Sequence, residues 1–304
     1  MRKSAFTLLE LIFVIVIMGI LSKFGVEFLT QAYNNFIFSS VNNALQANGA
    51  AAVETIASRL QYRIKDSVIA RESDFSFSAL AGYTAGTAPI LEWVGGDIDG
   101  LRGNSSTLPH WSGIIDLNPS SATTLVSPGT DTGALNTLIS ALSSSGSGIN
   151  DAALYFVGSD SDINNYGWSG TALTDHNTSV MHPIRRSTVV GEENLFIPTR
   201  GDTGADNTFT DTNVYEYYQL AWSAYAVGIS DYDATTKTGT LMLYYDYQPW
   251  KGERYNTNTT KSIKIMDNVS TFRFKAVGAI VKIQVCVNSD LVEDYSLCKE
   301  KTIF

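Results

Sequence analysis

The chain opens on an almost unbroken apolar run. Residues Phe6 to Leu21 read FTLLELIFVIVIMGIL, interrupted only by Thr7, Glu10 and Gly19. Phe24, Val26, Phe28 and Leu29 extend it to about 24 residues, the length that crosses a bilayer as a helix. After Leu29 the pattern becomes a stripe. Val41, Leu45, Ala52, Ile56, Leu60, Ile64 and Val68 recur at spacings of four or seven, which is one face of an α-helix. No proline occurs before Pro89, so nothing forces a break. The pattern predicts one helix from Phe6 to about Lys65, roughly 90 Å long, with a membrane-crossing half over 6–29 and an amphipathic half over 30–70. A coiled coil is the competing reading, but the stripe is too short and too rich in Ala and Asn for sustained heptads.

Beyond about Asp74 the chain is rich in Gly, Ser, Thr, Asn and Asp. The stretch over 95–150 reads as a long surface loop insertion with a short helix at Ala134–Leu142. Strand patterns follow at Ala153–Val157, Asn194–Ile197, Val214–Val227 and Leu241–Tyr247, where β-branched and aromatic residues lie between turn clusters. Near the end, Phe272 and Phe274 alternate with polar residues, as do Val281, Ile283, Val285 and Val287, with Gly278 between the two runs. That is an antiparallel hairpin with one apolar face. The expected fold is α+β: a long N-terminal helix packed on an antiparallel sheet, in a head domain over 71–304.

Arg2 and Lys3 precede the apolar run, which keeps the N-terminus in the cytoplasm and exports the remainder. An ordinary signal peptide needs a small-residue cleavage site after the run, and SKFGVEFL has none. A plain uncleaved anchor passes this test. Glu10 separates the readings further. A carboxylate inside an apolar helix costs roughly 2.5 kcal/mol or more, so its retention calls for a cation partner. Cutting the chain between Ala5 and Phe6 would create one, the new α-amino group, on this chain or a neighbour.

The segment Ala5-Phe6-Thr7-Leu8-Leu9-Glu10, with the apolar run behind it, resembles the signal sequence of type IV prepilins and type II secretion pseudopilins. The resemblance implies a leader over 1–5, cleavage after Ala5 by a prepilin peptidase and N-methylation of Phe6. It also implies a salt bridge from Glu10 to a neighbour's N-terminal amine. The family usually has Gly before the cut; this chain has Ala5. The later order TGTLMLYYDYQPW, then KIMDNVSTFRFKAVGAIVKIQVCV, resembles the larger minor subunits, the J-type pseudopilins and W-type minor pilins. Implied partners are other pilin or pseudopilin subunits, the prepilin peptidase and an inner-membrane assembly platform. The implied location is the bacterial inner membrane, single pass, with the head in the periplasm and possible incorporation in a pilus or pseudopilus. Many type IV pilins also carry a C-terminal disulfide loop, which Cys286 and Cys298 would form here; two unpaired buried thiols are the other reading.

Composition narrows the function. The formal net charge is −9, and removing Arg2 and Lys3 with a leader leaves 19 basic against 30 acidic residues. No Lys/Arg cluster stands out, so nucleic acid is not an expected partner. His110, His176 and His182 lie in no zinc pattern and read as exposed loop residues. No nucleophile elbow, P-loop or dinucleotide fingerprint occurs, so an anchored enzyme is disfavoured. Lys237-Thr238-Gly239 and Arg200-Gly201-Asp202 match known tripeptides at a frequency chance explains. No cofactor is expected. Calcium is the one weak candidate, at Asp160, Asp162 and Asn164, with a second acidic loop at Asp202, Asp206 and Asp211; solvated polar turns are the plainer account of both. Aromatic residues raise a sugar-binding surface as a further reading, with Trp111 and Trp168 expected to be the most exposed. A tip adhesin or substrate-recognition subunit on the same stalk is the second functional reading.

Overall fold

The structure, a computed structural model, describes residues 7–103, 108–159, 161–257, 259–292 and 295–304. Its spine is helix α1 (Leu8–Leu60), 53 residues and about 80 Å long at 1.5 Å per residue. Thr7 caps the start, its Oγ1 accepting from the Glu10 amide at 3.4 Å. The helix ends at Leu60, short of the expected Lys65. The residues that follow are taken over by a strand: the Ile64 amide donates to the Val94 carbonyl at 2.9 Å and the Gly96 amide to the Tyr62 carbonyl at 2.8 Å. These bonds, and full burial of Ile64, outweigh the weak local preference for another helical turn.

The main sheet is antiparallel throughout and contains eight strands. In chain order they are β1 (Ile69–Arg71), β2 (Phe77–Ala79), β3 (Ile90–Gly95), then β10 (Ser223–Asp233), β11 (Thr238–Tyr247), β12 (Lys261–Val277), β13 (Ile280–Asn288) and β14 (Ser296–Ile303). They lie side by side as β14-β13-β12-β11-β10-β3-β1-β2. The expected hairpin is β12–β13, turning through Gly278 at φ +62°, a left-handed conformation that suits glycine. One sheet face receives the second half of α1. Val41, Leu45, Ala52, Val53, Ile56, Ala57 and Leu60 pack on Leu91, Trp93, Val227, Leu241, Leu243, Val269, Phe272, Val281, Ile283, Val285 and Ile303. Each fully buried side chain of this size is worth about 1.5–3 kcal/mol, so the stripe outweighs the roughly 1 kcal/mol cost of a helical glycine. Gly49 is that glycine, and it serves close approach: a Cβ there would lie 3.1 Å from Lys299 Cγ on β14. Arg63 locks the helix end to the hairpin turn, donating to the carbonyls of Leu60 at 2.9 Å and Ala279 at 2.7 Å.

Between β3 and β10 the chain forms a second lobe. The stretch expected to be long loops over 95–150 is its first part. It contains α2 (Ile98–Arg102), β4 (Asp116–Ser121), β5 (Thr124–Val126) and α3 (Thr132–Leu142). The expected Ala134–Leu142 helix is α3, started by Asp131, whose carboxylate accepts from Gly133 and Ala134. β6 (Ala153–Phe156), β7 (Met181–Arg186), β8 (Leu195–Pro198) and β9 (Tyr218–Ala221) complete a six-stranded sheet, ordered β4-β5-β8-β7-β6-β9. Its core is built on Leu135, Ile139, Leu154, Phe156, Ile184, Phe196 and Leu220. The expected strand over Val214–Val227 is two strands in different sheets, divided at Trp222.

The lobe packs on the main-sheet face opposite α1. Ile69, Ile90, Val94, Ala224, Ala226 and Tyr247 meet Tyr155, Tyr166, Trp168 and Trp250 there. A buried ion pair, Arg71–Glu92, sits at this junction. Arg71 also donates to the Trp168 carbonyl at 3.1 Å, and the Tyr247 hydroxyl donates to Glu92 at 3.1 Å. Burial pushes the Glu92 carboxyl up, opposed by Arg71.

Cys286 and Cys298 face each other across the β13–β14 ladder and are joined as a disulfide. It closes a loop with a sequence separation of 12, which by chain entropy is worth about 3 kcal/mol. Intact-mass analysis after alkylation without reductant should find no free thiol, and a Cys286→Ser/Cys298→Ser variant should lose about 2–3 kcal/mol in denaturant unfolding. Two alkylated cysteines in the folded wild-type chain would overturn this.

Candidate functional site

The first half of α1 makes no tertiary contact. From Leu8 to Phe36 its side chains are exposed, and burial begins only at Ile37 and Val41. This bare rod is about 43 Å long, longer than the ~30 Å hydrocarbon core of a bilayer. It is the one helix among the described residues long and apolar enough to cross a membrane, with none of its apolar window buried. An apolar surface of this extent requires a lipid or protein partner. Glu10 sits on it, its carboxylate accepting at long range from Thr7 Oγ1, 3.4 Å away. Among the described residues of this chain no cation pairs with it. Ala5 and Phe6 lie outside the described residues.

The calcium candidates resolve into local turns as far as they are described. Asp162 Oδ1 accepts from the Asn164 amide at 3.0 Å and from Asn164 Nδ2 at 2.9 Å, capping a short 3-10 turn; Asp160 lies outside the described residues. In the second acidic loop, Asp206 is held by Arg185 at 2.6 Å and Asp202 by Arg200 at 2.7 Å. The second pairing folds Arg200-Gly201-Asp202 onto itself. Lys237 occupies the hairpin turn between β10 and β11, at φ +55°. No group of three or more His, Cys, Asp or Glu side chains able to hold a metal occurs among the described residues.

Two sequence expectations are corrected. Trp111 and Trp168 are buried, 4% and 1% exposed. Trp111 Nε1 donates to the Asp97 carboxylate at 3.1 Å, and the same carboxylate caps α2, so the loop-like segment around it anchors the lobe. Of the histidines, His176 and His182 are buried rather than exposed. His182 lies on β7, opposite Leu154 of β6, and this pairing carries it inward. The two rings meet Nδ1 to Nδ1 at 3.2 Å, beside Phe156 and Phe209. One Nδ1 donates and the other accepts, so the contact is lost when both rings carry a proton on Nδ1.

A groove of about 710 Å³ opens where the end of α1 meets both lobes. Tyr62, Lys65 and Asp66 line it from the helix end, Asp97 and Leu101 from α2, Trp111 from the following segment, and Tyr155, Tyr217, Tyr218 and Gln219 from the second sheet. Its parts are far apart in sequence, and no local pattern marks its shape. Comparison with protein-family models, curated proteins and solved structures finds no match to this chain.

Burial holds His176 at about 4 and His182 at about 3, below the ordinary 6.5, with His176 adding charge repulsion at His182. The unfolded chain therefore takes up protons first as pH falls. The stability contribution is complete above about pH 6.5 and is lost progressively between there and about pH 3, on the order of a few kcal/mol. A His176→Phe/His182→Leu variant should lose less stability than wild type between pH 6.5 and 4.5, read from denaturant midpoints. Equal slopes for the two proteins would refute the assignment.

Proposed function

We propose that the chain is a pilin-like structural subunit, of the class of the larger minor pilins or pseudopilins, in a type IV pilus or type II secretion filament. The observation that carries this reading is the division of α1: an unburied, mostly apolar half with a carboxylate, Glu10, in its first turn, continuous with a half packed on an antiparallel sheet. In this reading the leader is cut between Ala5 and Phe6, Phe6 is N-methylated and Glu10 pairs with a neighbour's terminal amine. The bare half of α1 lies in the inner membrane before assembly and in the filament core after it. The head faces the periplasm, and the subunit works by polymerising rather than by catalysis. The C-terminal disulfide and the sheet packed on the helix support the same reading. A second reading, a tip adhesin or recognition subunit on the same stalk, draws on the structured second lobe and its groove.

Mass analysis of the full chain purified from its own membranes should find an N-terminus at N-methylated Phe6. A chain still starting at Met1, in cells with an active prepilin peptidase, would leave a plain membrane anchor and overturn the proposal. Glu10→Ala should still insert and be cleaved, yet fail to enter filaments at the normal level, read by immunoblot of sheared filaments. Wild-type incorporation would remove the proposed role of Glu10.

A further inference from the structure

The groove at the end of α1 belongs to neither the membrane-spanning surface nor the helix–sheet interface, and its walls state what it can hold. Its volume, about 710 Å³, matches a site for a small molecule or a few sugar rings. Five aromatic side chains line it. Tyr217 is 59% exposed, while Trp111 is buried in the wall. Tyr62 is held in place: Arg102 donates to its hydroxyl at 2.5 Å and sits over its ring, 5.2 Å from the centroid. A fixed aromatic wall of this kind offers large contact area at little entropic cost on binding.

The charges select further. The groove lies at the C-terminal, partially negative end of α1, with Asp66 and Asp97 on its walls. Arg63 turns its guanidinium away to the carbonyls of Leu60, Ala279 and Phe304, which leaves Lys65 on the wall and Arg102, against Tyr62, as the cations beside the groove. Two cations thus stand near two carboxylates, and neither sign of charge dominates the walls. The polar groups that remain suit hydroxyls. Asp66 Oδ2 accepts from Tyr155 at 3.3 Å and from Ser161 at 3.2 Å, and among the described residues its other oxygen is left to accept from a ligand. Gln219 adds an exposed amide with both donor and acceptor.

We propose that this groove binds an uncharged saccharide, with Tyr217 and Tyr62 packing on the apolar faces of sugar rings and Asp66 and Gln219 taking the hydroxyls. The proposal stands independently of filament membership. It is tested on the full-length chain in zwitterionic micelles, which carry no sugar headgroups, with tri-N-acetylchitotriose, cellotriose and maltotriose as probes. Saturation-transfer NMR should show transfer to the ring protons of at least one probe, with a dissociation constant of about 1 mM or tighter. Tyr217→Ala should weaken that binding about tenfold without lowering the melting temperature, and Asp66→Asn should weaken it as well. Transfer to none of the three sugars, affinity indifferent to Tyr217→Ala, or transfer only to an acidic uronate oligomer or a peptide would each overturn the proposal.

Discussion

A single helix, Leu8 to Leu60, has to satisfy two surroundings with one unbroken ladder of backbone hydrogen bonds. Its first half has no protein around it and is mostly apolar, so it calls for lipid or other chains in place of water. Its second half is apolar on one stripe and polar elsewhere, which suits a helix lying on a sheet. The head is organised around this second half. Eight strands present one apolar face to it, and the chain's own end returns as β14 to run along it, with Lys301 paired to Glu54 at 2.7 Å and Tyr295 donating to Asn42 at 2.8 Å. The disulfide fixes that last strand to its neighbour.

The opposite face of the sheet carries the second consequence. An apolar sheet face left in water is a liability, and the lobe between β3 and β10 covers part of it. The junction is mostly aromatic and aliphatic, with the Arg71–Glu92 pair at its centre. A pair buried this deeply adds little net stability over an apolar substitute, but removing one partner costs about 3–5 kcal/mol. It therefore acts as a condition on how the two layers meet: the lobe must seat so that the Trp168 carbonyl and the Tyr247 hydroxyl reach the pair. The groove at the end of α1 follows from the same seating, since its walls come from both layers.

Several strands could not be read locally, for identifiable reasons. β14 contains Lys299 and Lys301 on the side that meets α1, so it lacks the apolar alternation of a half-buried strand; the lysines are accommodated by Gly49 and Glu54. β3 is buried along its whole length, and Glu92 in its middle breaks the apolar run that would have marked it. The segment over 95–150 reads as loop because its strands are short and its polar residues many, yet Ile115, Leu125, Leu135 and Ile139 are almost fully buried. The change of sheet at Trp222 leaves no mark in periodicity. His176 and His182 gave no sign of meeting, because their approach depends on strand pairing.

What the sequence determined by itself was whatever depends on near neighbours. The apolar run, the stripe on α1, the β12–β13 hairpin with its glycine turn and the α+β class all follow from periodicities of two and 3.6 residues. The carboxylate at Glu10 was conspicuous for the same reason, as a polar group in an apolar frame. Only the tertiary structure decided where α1 stops, which face of the sheet each strand presents, how the second lobe seats and that a groove forms beside Tyr62 and Tyr217. Those outcomes rest on hydrogen bonds and burial between residues distant in the chain, and no local pattern encodes which distant partner wins.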